Sequence, residues 1–297
     1  MSDAVAALTR PRPAEWTVRG RVLSLRRPLV VGIVNVTPDS FSDGGRFLSP
    51  EAAVAHAEAL AAEGADLLDV GGESTRPQGA TPVDAAEERR RVVPVVREVA
   101  RRLPGVAVSI DTVKAEVAEA CLDAGASVVN DVSGFRLDPA LGAVCARAGA
   151  GVILMHSRGG VSEMATYAHA RYGDDVTGEV VRELGEALAR AADAGVAADR
   201  IALDPGIGFA KRGEHSLRVL AELPRVVALG HPVVVGVSRK RFIGELTGVK
   251  EPAGRIYGTV GANVAALARG ARLFRVHDVR AARHALDVAW AALGLGS

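Results

Sequence analysis

Short apolar, β-branched runs alternate with longer amphipathic stretches eight times between residues 30 and 293. The short runs are apolar throughout rather than at every second position, and polar residues gather just beyond them. These observations predict an α/β chain folded as a (β/α)8 TIM barrel with a short N-terminal β-hairpin. Strands that do not alternate must be covered on both faces. Helices between them force parallel pairing through crossovers. Eight units fill a single barrel of about 250 residues. No linker or composition shift divides the chain, so residues 17–297 read as one domain. A doubly wound open sheet is the competing architecture.

Residues 1–16 contain Pro11 and Pro13 and show no periodicity, which predicts a flexible N-terminal segment. From Trp16 to Leu25 an alternating pattern runs through Gly20 and predicts the hairpin. The eight apolar runs are residues 30–35, 66–70, 106–110, 127–130, 151–155, 200–204, 232–237 and 272–276. Helical patterns cover 50–63, 84–102, 113–124, 138–148, 174–194, 214–222, a region from 241 to 269, and 279–293. In the fifth of these, Val176, Val180, Val181, Leu184, Leu188 and Ala191 form one stripe. Gly64, Gly125, Gly149 and Gly195 sit where helix C-caps belong.

With 36 Lys+Arg against 35 Asp+Glu, the formal charge is +1 and no basic stripe points to nucleic acid. The most apolar window, Val226–Val237, is broken by Gly230, His231 and Pro232, so no membrane span is expected. No N-terminal signal pattern occurs, and the expected location is cytoplasmic. Cys121 and Cys145 lie inside helical patterns and read as buried thiols, neither a disulfide framework nor a zinc site. HExxH and GxSxG are absent. Neither hydrolytic zinc nor a covalent serine is therefore indicated.

Every strand end carries polar residues. They are Asn35; Glu73 to Arg76; Asp111; Asn130 and Asp131; His156; Asp204; Ser238 to Lys240; and Arg275 with His277. In a parallel barrel these ends share one rim, where active sites form. A lone Asp111 before a helix is more simply an N-cap. Capping does not account for Lys or Arg at helix starts, where the dipole is positive. Lys240, Arg275 and His277 follow strands seven and eight, the usual phosphate position. For the 239–241 run, a solvated basic stretch is the plain alternative. Asp111, Asn130 and Asp204 offer acceptors and an amide, a set that complements the donor edge of an aminoheterocycle. A buried, self-satisfied polar cluster is the alternative there. The layout orients two substrates, as in a transferase.

VGIVNVTPDSFSDGG (31–45) and GGESTRP (71–77) resemble the two signatures of dihydropteroate synthases. SIDT (109–112), NDVSG (130–134), LMH (154–156), DPGIGFAK (204–211), SRKRFIG (238–244) and FRVHDV follow in the family's order. The resemblance covers residues 17 to 293. It implies condensation of (7,8-dihydropterin-6-yl)methyl diphosphate with 4-aminobenzoate in folate biosynthesis, with Mg2+ as cofactor, and a homodimer. It further implies that Asp111, Asn130, Asp204 and Lys240 grip the pterin, while Arg275 and His277 hold diphosphate. Asn35 would serve the metal, and Thr75 would contact the pterin diphosphate. Lys240, Asp111, Arg275 and His277 are the implied catalytic set. Ser40, Phe41, Asp43, Arg76, Pro77, Phe209 and Ser238 would form closing loops and the aminobenzoate pocket, the place where sulfonamides compete in the family.

Two departures stand out. Gln78 lengthens the second loop, and Ala210 replaces a common glycine, a mild change unless its φ is positive. The stretch 157–173 is irregular and reads as an ordinary surface loop. A pterin-binding methyltransferase and a non-catalytic pterin-binding paralogue are the rival readings.

Overall fold

The computed structural model describes residues 13–36, 49–73 and 83–295. Residues 1–12, and with them most of the expected flexible segment, lie outside this range. So do Ser40, Phe41, Asp43, Thr75, Arg76, Pro77 and Gln78.

The hairpin forms as expected, β1 (Glu15–Val18) pairing antiparallel with β2 (Arg21–Ser24). The barrel then alternates β3 (Leu29–Asn35), α1 (Pro50–Ala62), β4 (Leu67–Gly71), α2 (Ala85–Arg102), β5 (Ala107–Asp111) and α3 (Ala115–Asp123). It continues with β6 (Val128–Asp131), α4 (Ala140–Ala148), β7 (Gly151–Met155), α5 (Val176–Asp193), β8 (Ile201–Asp204) and α6 (Gly213–Ala221). Last come a short α7 (Pro224–Val227), β9 (Val234–Val235), α8 (Arg241–Thr247), α9 (Ile256–Ala268), β10 (Leu273–Val276) and α10 (Val279–Ala292). The strands pair in parallel in the order β8-β7-β6-β5-β4-β3-β10-β9, and a bridge between Leu203 and Val233 brings the two ends together. The sheet is a barrel, not an open doubly wound sheet.

Two elements differ from their expected extent. The seventh run was expected over 232–237, but only Val234–Val235 forms a regular strand. Pro232 has no N–H to donate and Gly236 adds no side chain to pack, so the ladder is short there. The helical region 241–269 divides because Gly248 adopts a left-handed cap (φ 75°) and Pro252 starts a separate turn.

Leu29, Val31, Leu67, Ala107, Val128, Ile153, Ala202, Val234 and Leu273 fill the N-terminal half of the barrel, closed from below by Trp16 and Val18 of the hairpin. Trp16 is fully buried and donates its indole N–H to the Arg200 carbonyl at 2.9 Å. Burying ~200 Å2 of indole at ~25 cal/mol/Å2 contributes roughly 5 kcal/mol before entropy. This plug leaves the C-terminal mouth as the end open to substrate. A second apolar layer, between strands and helices, includes Val70, Val96, Leu154, Leu184 and Phe274. Cys121 and Cys145 are buried free thiols pushed up to about 12 by burial, as inert hydrophobes should be.

Candidate active site

Side chains on a strand alternate between faces. The apolar residues of the barrel interior therefore set a phase: two residues beyond an inward residue lies another. From Ile33 this leads to Asn35, from Leu67 to Asp69, from Ala107 through Ser109 to Asp111, and from Val128 to Asn130. From Ala202 it leads to Asp204, and from Leu273 through Arg275 to His277. All these polar groups lie above the apolar plug, on the inside of one mouth.

Arg275 is the hub. Its Nε donates to Asp69 Oδ2 at 2.6 Å and its Nη2 to Asp111 Oδ2 at 2.7 Å. Asn130 Nδ2 donates to the same Asp69 oxygen at 2.9 Å. Asp69 Oδ1 is buried with no hydrogen-bond partner among the described residues. Across Gly71, the strand register sets Asn35 beside Asp111. Asp204 accepts from the Gly206 N–H at 2.7 Å. Gly236 separates it from Arg275: a methyl there would stand 3.7 Å from Asp204 Oδ2 and 3.9 Å from Arg275 Cβ. Lys240 Nζ donates to the Ile207 carbonyl and lies 4.0 Å from the centroid of the Phe209 ring. Ser238 Oγ accepts the His277 backbone N–H at 3.1 Å and pairs with His277 Nδ1 at 2.9 Å.

The acidic and cationic groups do not segregate within the mouth. Arg275 straps directly across two carboxylates, because in a dry mouth opposite charges lower each other's desolvation cost by pairing. Desolvation raises Asp111 to about 7 against the pull of Arg275. It raises Asp204 as well, against Lys240. Burial lowers Lys240 to about 7, with Asp204 opposing. Burial also works against the Arg275 charge, yet Asp69 and Asp111 more than offset it and hold the pKa above its usual value.

Asp69 lies inside the run 66–70, whose sequence pattern is that of one apolar strand. The available signal was phase: Asp69 follows Leu67 by two. The same rule moves His156 out of the mouth, since it follows the inward Met155 by one. His156 Nε2 lies 2.9 Å from Glu183 Oε2 and Nδ1 lies 2.7 Å from Lys211 Nζ. Arg239 forms a two-pronged ion pair with Asp278 at 2.9 and 2.6 Å. Arg241 stacks on Tyr167. Of the basic run, Lys240 alone turns into the mouth. The stretch 157–173 is not an ordinary surface loop. Met164 is fully buried and its carbonyl accepts the Ala210 N–H at 2.6 Å. Ala210 has a φ of 47°, so the replaced glycine stood at a left-handed position.

The fold and site define a (β/α)8-barrel protein whose C-terminal mouth gathers acids, an amide and cations. The family described as pterin binding enzyme matches residues 31–277. The chain is 47% identical to a dihydropteroate synthase of Mycobacterium leprae, over 92% of this chain and 96% of that protein. Among solved structures, it is 47% identical to Xanthomonas albilineans dihydropteroate synthase with 4-aminobenzoic acid, covering 95% of this chain and 98% of that one at a TM-score of 0.86. The same enzyme in complex with 7,8-dihydropteroate matches at 45% identity over 94% and 98% of the two chains, with a TM-score of 0.84. The chain belongs to the pterin-binding enzymes and, within them, to the dihydropteroate synthase family.

Proposed function

We propose that this chain joins (7,8-dihydropterin-6-yl)methyl diphosphate to 4-aminobenzoate, releasing diphosphate and forming 7,8-dihydropteroate. The observation that carries this reading is the inward convergence of Asp111, Asn130, Asp204, Lys240 and Arg275 on one mouth. Asp204 and Asn130 offer acceptors and an amide to the amino-substituted edge of the pterin, and Lys240 offers a cation beside it. Arg275 and His277 face the end where diphosphate leaves. Thr75, outside the described residues, is assigned to pterin diphosphate by the family resemblance alone. Phe209 and Ser238 are assigned to the aminobenzoate side, together with Phe41, Asp43, Arg76 and Pro77, which lie outside the described residues.

The bond between the pterin methylene and the diphosphate oxygen breaks, and its electron pair leaves with diphosphate. The arylamine lone pair forms the new C–N bond, and the nitrogen then gives up a proton. An arylamine is neutral and nucleophilic near pH 7, so expelling diphosphate is the difficult part. Arg275 stabilises the charge that develops on the leaving oxygens, and Asp111 and Asp204 stabilise the positive charge growing on the pterin. The displacement is dissociative in this reading.

Mg2+ fits the donor set. Among the described residues no group of three or more His, Cys, Asp or Glu could hold a metal. Asn35 brings a neutral amide oxygen to the mouth, and Mg2+ typically combines one or two protein ligands with substrate phosphates and water. Asn35 would hold it, and when bound it would neutralise charge on the departing diphosphate.

We also propose a homodimer formed through α9. This helix carries no charged residue, and Tyr257 on it is 90% exposed, with Leu246 63% and Val288 71% exposed on the flanking helices. A second copy would cover this apolar surface. Two buried free thiols suit a cytoplasmic, reducing setting. The deciding experiment incubates the protein with pterin diphosphate, 4-aminobenzoate and Mg2+. Diphosphate release that depends on the arylamine supports the function; none, or release without it, refutes it.

A further inference from the structure

Beside the mouth lies a second buried polar cluster to which the reaction above assigns no role. Lys211 ends the loop after β8 and is 1% exposed. Its Nζ meets three acceptors: His156 Nδ1 at 2.7 Å, the Gly206 carbonyl at 3.1 Å and the Phe209 carbonyl at 3.2 Å. That is one for each ammonium proton. With Nδ1 accepting, His156 carries its proton on Nε2 and donates it to Glu183. Arg158 pairs in turn with Glu183 and, at 2.7 Å, with Glu179. Desolvation disfavours charge on both Lys211 and His156. Three directional bonds fix the position of Lys211 Nζ and, through two of them, the carbonyls of the neighbouring loop.

The same loop also reaches Lys240. Gly206, Gly208 and Ala210 have φ values of 65°, 80° and 47°, alternating with ordinary residues. The Gly206 and Phe209 carbonyls reach Lys211, while the Ile207 carbonyl reaches Lys240 and the Phe209 ring lies against it. A side chain at Gly206 would overlap the His156 carbonyl, which ties this loop closely to the end of β7. The two lysines hold one loop by different carbonyls.

We infer that Lys211, oriented by His156 and Glu183, is a positioning residue for Lys240: it fixes the loop whose carbonyl and ring aim Lys240 into the mouth. The inference rests on Lys240 binding pterin diphosphate, as proposed above. Lys211 never touches substrate in this arrangement.

The test is a double-mutant cycle on the full chain, using Lys211→Met, Lys240→Met and both together. Calorimetry gives the Kd of pterin diphosphate, and steady-state kinetics give both KM values. Lys211→Met should weaken pterin diphosphate binding about tenfold and leave the KM for 4-aminobenzoate within about twofold. The double variant should bind no more weakly than Lys240→Met, because the effect of Lys211 passes through Lys240. Unchanged binding in Lys211→Met, or additive losses in the double variant, would overturn the inference. Wild-type protein that binds no pterin diphosphate, or Lys240→Met that binds it normally, would instead remove the functional reading beneath it. A parallel pair guards against misfolding. His156→Gln keeps an oxygen for Lys211 and a donor for Glu183 and should bind within about twofold of wild type, whereas His156→Leu should behave like Lys211→Met. If both Lys211→Met and His156→Leu fail to fold, the pair is structural and the inference falls.

Discussion

Asp69 offers the sharpest test of how the mouth is held together. Its Oδ2 accepts from both Arg275 and Asn130, and it is fully buried. Asp69→Ala leaves Arg275 Nε and Asn130 Nδ2 without that acceptor, although Asp111 still holds the other side of the guanidinium. Breaking a buried pair from one side costs roughly 3–5 kcal/mol. At about 2.1 cal/mol/K per residue over 297 residues, the unfolding entropy is roughly 0.6 kcal/mol/K. Tm should therefore fall about 5–8 °C. Asp69→Asn keeps an acceptor oxygen but removes the charge. It reduces a charge-assisted bond to a neutral one, a loss of about 1–2 kcal/mol, or roughly 2–3 °C. Asp69→Ala frees Arg275 to swing toward Asp111 and Asp69→Asn loosens its hold on that side, so kcat/KM for pterin diphosphate should drop at least about tenfold in each. Calorimetric melting and steady-state kinetics read the two effects separately. If Asp69→Asn melts and turns over like the parent, Asp69 does not orient Arg275 and this account of the mouth is wrong.

Four further outcomes are expected. Ala210→Gly relieves about 1–2 kcal/mol of left-handed strain and loses a buried methyl worth about 0.8 kcal/mol. Its Tm should hold or rise slightly, and a fall of several degrees would show that the methyl packing dominates. Lys240, lowered to about 7 by burial, keeps its charge below that pH and loses it above. The kcat/KM for pterin diphosphate should decline as pH rises through about 7, and Lys240→Arg should abolish that limb; an unaltered limb would assign it to another group. Electron-poor arylamines should react nearly as fast as electron-rich ones in the chemical step, and a steep dependence on amine basicity would point to associative displacement. Tyr257→Glu should halve the mass seen by sedimentation with the melting transition intact, and an unchanged mass would remove α9 from the interface.

Much of the barrel and its mouth is legible in the sequence. Runs such as Gly151–Met155, five residues long and apolar on both faces, read as covered strands because they are too short for a helix. Asp111, Asn130, Asp204 and Arg275 stood at their ends. Asp69 was not legible to a reading that sought polar groups beyond strands, because it lies within β4, and only its phase relative to Leu67 marks it as inward. His156 was misplaced for the matching reason: one residue past Met155, it points between β7 and α5.

Periodicity and composition thus sufficed for the architecture, since burial of apolar faces is a local pattern summed along the chain. They also brought Asp111, Asn130, Asp204 and Arg275 to one rim, since parallel strands share a direction, while missing Asp69 and misplacing His156. Which cation meets which carboxylate was beyond them. Arg275 and Asp69 are 206 residues apart, and Lys211 meets His156 across 55. Such pairings depend on barrel closure and on the balance between desolvation and Coulomb attraction at angstrom separations. No stretch of sequence contains that balance; the packed fold sets it.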